Sequence, residues 1–173
     1  LLADNNAAAK SNPQLEQLKS KGIEVLLLTD RIDPWIVDHL PEFEGKKFQN
    51  VGKGEFSLSD EGKKVNKEEL KKEHELFLKK ISKTLEDRVE KVNLSQRLVD
   101  SPSCVVAGQQ DITPQMRRML EATGQKLPES KPVLEINLKH PLIKKLFSES
   151  NDKMFISLSN IILDHALLAD GEQ

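Results

Sequence analysis

The chain has 173 residues, of which 31% are charged and 37% hydrophobic, and a net charge of −2. That length suits one domain or two small ones, and the near-neutral balance provides no field to attract nucleic acid or a membrane surface. Aromatics are only 4%, with no tyrosine, too few for a base-stacking platform, and the single cysteine, Cys104, forbids an internal disulfide and fits a reducing, cytoplasmic setting. No apolar run approaches the ~20 residues a bilayer span needs, and no signal peptide is visible. The chain lacks an initiator Met and its first helix starts almost at once, so it reads as a piece of a longer protein.

Asp4 is placed to cap a short helix over Ala7, Ala8 and Ala9. Asn12-Pro13 caps and starts the next helix, which runs to Lys21 and stops at Gly22. Ile23, Val25, Leu26, Leu27 and Leu28 form a short unbroken apolar run, which predicts a strand buried on both faces. Asp33 caps and Pro34 opens a further helix. On its wheel Ile36, Val37 and Leu40 share the face expected to pack on the strand. Trp35, the only tryptophan, falls on the far side with Asp38 and His39. An indole turned from its own core is either covered by another segment or offered to a partner. Residues 43–51, with a turn at Glu44-Gly45, read as a second strand, making residues 1–51 a small α/β unit.

Residues 52–64 are rich in Gly, Ser and charge and read as a linker or exposed loop. Asn66 and Glu69 form a capping box for a helix whose stripe is Leu70, His74, Phe77, Leu78, Ile81 and Leu85. Strands are expected over 89–94, 103–107 and 132–138. Between the last two, Thr113-Pro114 opens a helix over 113–123 with Ile112, Met116, Met119 and Leu120 on one face. That face either covers the sheet or forms an adaptable, thioether-bearing binding surface. His140-Pro141 leads into a helix through Phe147, and Asn151 or Asp152 caps the last, to about Ala169. This last helix is apolar on most of its circumference, with a polar strip of Ser157, Asn160 and Asp164. It is either central to its own domain or a helix–helix interface with a second copy, and the second reading is favoured.

No phosphate-binding loop is present, because Gly52-Lys53-Gly54 is too sparse. His39, His74, His140, His165 and Cys104 lack metal-ligand spacing, and no metal site is expected. Cys104, before Val105-Val106, reads as a core residue. Asp30 and Asp33, at the end of an apolar strand, are the one pair in a place where phosphoryl acceptors sit, but Asp33 has a simpler role as a cap. No catalytic residue is assigned.

The segments KGIEVLLLTDRIDPWIVDHLPEFEGKKFQNV, RLVDSPSCVVAG, LEINLKHPLIKKL and LDHALLADG occur here in the order found in the ninety-kilodalton heat-shock chaperone family, and the chain resembles its bacterial branch along essentially its whole length. The resemblance implies an α/β tail of the family's middle domain (1–52), a linker (53–65), and an α+β C-terminal dimerisation domain (66–173) with a small three-stranded sheet and flanking helices. It implies client binding through Trp35, Asp38, Ile112, Met116, Met119 and Leu120, and a dimer interface through Phe155, Leu158, Ile161, Ile162, His165 and Leu168. At Met119 and Leu120 relatives can carry Leu and Phe, which keeps the apolar character. Client proteins, a second copy and cochaperones are the implied partners, with neither nucleic acid nor membrane among them. ATP and magnesium serve the full-length protein, whose nucleotide pocket and hydrolytic arginine lie outside this stretch, so no cofactor and no ATPase activity are expected here. The family continues beyond LLADG into a helix that completes a four-helix dimer bundle, and this chain ends at Gln173, without it. Two other readings are a phosphoryl-transfer or phospho-receiver domain using Asp30, and a purely structural dimerisation scaffold.

Overall fold

A computed structural model describes residues 1–3, 5–53, 68–108, 117, 120–124 and 130–170. Helix α1 (Asn6–Ser11) is capped by Asn5, whose side-chain oxygen accepts from the Ala8 N–H at 2.9 Å; the expected cap, Asp4, lies outside the described residues. The Asn12 side chain caps a 3-10 turn (Pro13–Leu15) that runs on into α2 (Glu16–Ser20). The helix ends as expected at Gly22, with φ +66°. The Ile23 N–H reaches back to Leu18 O at 2.9 Å and the Gly22 N–H to Lys19 O at 3.1 Å, the paired bonds of a Schellman stop.

Residues 23–28 do not form the doubly buried strand predicted. They run extended and pair on one edge with the first three residues, with Leu28 N to Leu1 O at 2.9 Å and Ala3 N to Leu28 O at 3.0 Å. Val25 and Leu27 pack on a cluster of Leu1, Ala3, Ala9, Leu15, Leu18 and Val51. Leu26, on the alternate face, is 63% exposed. A period of two buries both faces only where two layers exist to receive them, and here one does.

Helix α3 (Asp33–His39) has Pro34 in its first turn, as expected, but Asp33 does not cap it. Its carboxylate instead accepts from the Asp30 N–H at 2.8 Å, tightening the preceding turn. The expected strand over 43–51 folds back as a hairpin, β1 (Glu42–Phe43) and β2 (Lys46–Lys47). Glu44 and Gly45 both have positive φ, the turn geometry that matches the twist of two antiparallel strands.

The second lobe is an α+β layer structure, as predicted. Strands β3 (Lys91–Leu94), β4 (Ser103–Val106) and β5 (Val133–Ile136) lie in the order β3-β5-β4, with β5 parallel to β3 and antiparallel to β4. Val92, Val105, Leu134 and Ile136 project from one face against helices α4 (Glu68–Thr84), α5 (Pro141–Phe147) and α6 (Asp152–Asp170). Among the described side chains of the expected stripe, Phe77, Ile81 and Leu85, the last just past the end of α4, are buried and His74 is half-buried against Phe147, while the Leu70 side chain and the side chains of the expected capping box, Asn66 and Glu69, lie outside the described residues. The His140 Nδ1 accepts from the Leu142 N–H at 3.1 Å, so an imidazole caps α5. Cys104, Val106 and Val133 form a smaller cluster on the opposite face, as the core reading of Cys104 required. Central strand β5 is therefore buried on both sides, Glu135 included.

Candidate functional site

Three surfaces and one seam carry the candidate residues. On α3 the structure corrects the expected packing, because Ile36 and Leu40 are exposed rather than laid on the extended segment. Pro34 and Val37 face inward instead. Ile32, Trp35, Ile36 and Leu40 then share one outward stripe, within roughly 140° of arc at 3.6 residues per turn. A wheel begun one turn earlier, at Ile32, would have revealed this stripe, with Trp35 at its edge and 46% exposed. Phe43 and Phe48 on the following hairpin segment are also exposed. A cleft of about 420 Å³ lies beside them, lined by Leu18, Ile23, Val25, Val37, Phe48 and Val51 among others. The Asp38 backbone belongs to α3, and its side chain lies outside the described residues.

Of the second surface expected to bind clients, Ile112, Met116 and Met119 lie outside the described residues. Arg117, Leu120, Glu121 and Ala122 are helical, with Leu120 half-buried. An Arg117–Glu121 contact of 3.7 Å spans one turn. The Gly124 N–H donates to Glu121 O at 2.9 Å, with φ +84° at Gly124, where the helix ends.

Helix α6 divides its expected interface residues between two faces. Phe155 and Ile162 are in the lobe's own core, which corrects their assignment to a dimer surface. At 100° per residue they fall with Ser159, Leu163 and Ala166 on the side covered by β4 and α4. Lys80 Nζ sits 4.2 Å above the Phe155 ring, and Ser103 Oγ donates to Ile162 O at 3.0 Å. Ile161, His165 and Leu168 are exposed and Leu158 is partly buried. With Met154, also exposed, they follow alternate spacings of four and three residues along one side of the helix, the repeat of a helix-pairing seam.

The seam between the lobes depends on residues that the sequence reading did not single out. Arg97, 1% exposed, donates from Nε and Nη2 to the two Glu135 carboxylate oxygens at 2.9 and 3.0 Å. Its Nη1 donates to the Val51 carbonyl of the first lobe. The Glu16 carboxylate accepts the successive N–H groups of Val99, Asp100 and Ser101 at 2.7, 2.8 and 3.1 Å, and the Ser101 hydroxyl as well. The Gln14 amide donates to Val105 O at 2.8 Å, and the Ala107 N–H to Gly52 O at 3.2 Å. The signal available in advance was Glu135 itself: a carboxylate inside an apolar central strand demands a buried cation.

Partial burial raises the Glu16 carboxyl pKa, but the Ser101 hydroxyl and the three backbone N–H groups outweigh it and hold the carboxyl below the ordinary glutamate value. A depressed folded-state pKa contributes stability that is present above the unfolded value and lost as pH falls through the folded one. The difference in amide protection factors at 99–101 between wild type and Glu16→Gln, measured across acid pH, is therefore expected to narrow as pH drops through that window. A difference independent of pH would refute the charge assignment. Burial, followed by the Glu135 charge, pushes the Cys104 thiol well above its usual range, which makes it a poor nucleophile. Asp30 is exposed, and no group of three His, Cys, Asp or Glu side chains suited to a metal occurs among the described residues. Among those residues no helix is long and apolar enough to cross a membrane.

Residues 1–172 match the family model described as Hsp90 protein. The chain is 48% identical over 177 residues to the Chaperone protein HtpG of Psychrobacter arcticus, a match that covers 100% of this chain and 27% of that relative. The chain thus spans about a quarter of the curated relative's length, and on a family match along nearly all of its residues it belongs to the Hsp90 family.

Proposed function

We propose that this chain is a client-holding and self-associating part of a chaperone of this family, with no ATPase chemistry of its own. The observation that carries the reading is the α3 stripe: four large apolar side chains turned outward, Trp35 and Ile36 on the helix and Ile32 and Leu40 at its two caps. Monomeric proteins rarely leave such a contiguous patch open without a use for it. Trp35 and Ile36 hold unfolded or partly folded chains by apolar adhesion, with Asp38 of the same helix assigned to the client-binding set, and Ile112, Met116, Met119 and Leu120 supply a second adaptable face. The α6 stripe of Leu158, Ile161, His165 and Leu168, extended by Met154, pairs two copies. Two weak client surfaces on paired copies gain from effective concentration.

On this reading ATP and magnesium belong to regions of the full-length protein outside these 173 residues. Cochaperones are further partners, and the setting is the cytoplasm. Phosphoryl transfer at Asp30 draws no support from an exposed turn carboxylate beside an Asp33 already engaged with the Asp30 N–H.

Trp35→Arg, and separately Met116→Lys with Met119→Lys, are expected to weaken binding of a partly folded test protein by about tenfold or more, the loss typical of an interface anchor. Far-UV circular dichroism and Tm should stay at wild-type values. Binding unchanged in both variants would reject the client surface.

A further inference from the structure

The two lobes keep separate apolar cores. One cluster closes within residues 1–51, and the helical cluster of the second lobe, together with the small Cys104 group, shares no member with it. Beyond the packing of the 3-10 turn on β4 and of α1 on α6, what joins them is a set of hydrogen bonds, most of which converge on the loop at 95–101. Arg97 alone ties three elements: its side chain reaches Glu135 and the Val51 carbonyl, and its own carbonyl accepts the Gln17 N–H at 3.0 Å. Glu16 grips the next turn of the same loop through three consecutive N–H groups, an arrangement that fixes orientation as well as distance. Two amide oxygens at the seam, Gln14 Oε1 and Gln17 Oε1, are buried without a hydrogen bond among the described residues, so closing the seam leaves polar groups that opening would return to water. An apolar core has no such intermediate: it is closed or unfolded. A polar seam between two self-contained cores can open while both persist.

We propose that Glu16 and Arg97 are the positioning residues that set how the first lobe sits on the β4 face of the sheet, a latch that releases without unfolding either core. Because α3 belongs to one lobe and α6 to the other, the latch fixes the direction of the Trp35 stripe relative to the α6 stripe. That consequence for client holding rests on the reading given above, whereas the latch itself does not.

The test uses the protein with Cys104→Ala and spin labels on Glu24→Cys and Lys83→Cys, two exposed positions on opposite lobes, diluted with unlabelled protein. Glu16→Gln places an amide NH₂ against N–H donors and should broaden the inter-lobe distance distribution. Amide exchange at 99–101 should quicken at least tenfold, while Leu134 and Leu163 keep wild-type protection. Glu16→Ala should do the same, and Arg97→Lys, which keeps a charge beside Glu135 but lacks the fork that also reaches Val51, should broaden the distribution as well. An unchanged distribution in both Glu16 variants overturns the latch, as does simultaneous loss of protection at Leu134 and Leu163, which would make Glu16 a residue of global stability. An unchanged distribution in Arg97→Lys removes Arg97 from it. Trp35→Arg should leave the distances unchanged, so a failure of client binding and a failure of the latch are read separately.

Discussion

Arg97→Met is expected to cost about 3–5 kcal/mol of folding stability, the range for removing one partner of a buried ion pair. The guanidinium is 1% exposed and meets both oxygens of Glu135, itself 5% exposed in the middle strand of the sheet. Without it, Glu135 retains only the Ser95 hydroxyl, at 2.8 Å, as a donor among its side-chain contacts described here, too little to solvate a charge between two packed layers. The Val51 carbonyl loses its donor at the same time. Arg97→Met combined with Glu135→Met should recover most of the loss, because an apolar pair of similar volume removes the stranded charge. Urea unfolding of the two singles and the double gives the coupling directly. A single-variant loss under about 1 kcal/mol would show that the charge finds other solvation, and would refute this account of the sheet's outer face.

The second large effect separates two adjacent isoleucines. Ile162→Asp should remove the fold of the second lobe, with a loss of about 4 kcal/mol or more, because it places a carboxylate among Leu134, Phe155 and Leu163. Ile161→Asp should change stability by no more than about 0.5 kcal/mol, since its side chain is 56% exposed. Combined with Leu168→Asp, it should instead shift self-association at least tenfold, read by light scattering over a concentration series. Equal thermal losses at 161 and 162 would mean that α6 is rotated from the orientation described. Wild-type association in the 161/168 double variant would exclude the α6 stripe as the pairing surface.

The features legible in the sequence are those whose causes lie within a few residues. Asn12-Pro13 starts a helical turn because an amide oxygen and a preset φ act on the next N–H groups, and Gly22 stops it because only glycine enters the left-handed region cheaply. Glu44-Gly45 turns the chain for the same reason, and Phe77, Ile81 and Leu85 declare the α4 face by spacing alone. The family likeness was legible too, since long quoted segments carry it whatever their burial. Asp33 was misread because the helix takes it as its first residue, with Ile32 at the cap position, and its carboxylate turns back to the Asp30 N–H.

Residue pattern by itself indicated the helices seen among the described residues, the three strands of the second lobe and the core position of Cys104, and the quoted segments carried the kinship of the chain. Which side of each element meets protein was decided only by the tertiary fold. The run at 23–28 has one covering layer rather than two, α3 turns its tryptophan stripe outward, and α6 assigns Phe155 and Ile162 to the core but Ile161 and Leu168 to the surface. The seam was likewise invisible beforehand, because Glu16, Val51, Arg97 and Glu135 are far apart along the chain and their charges have meaning only once burial brings them together. Local chemistry acts through neighbouring bonds and can be read in order, whereas burial is a property of whichever surface arrives from elsewhere, and a periodic pattern cannot name it.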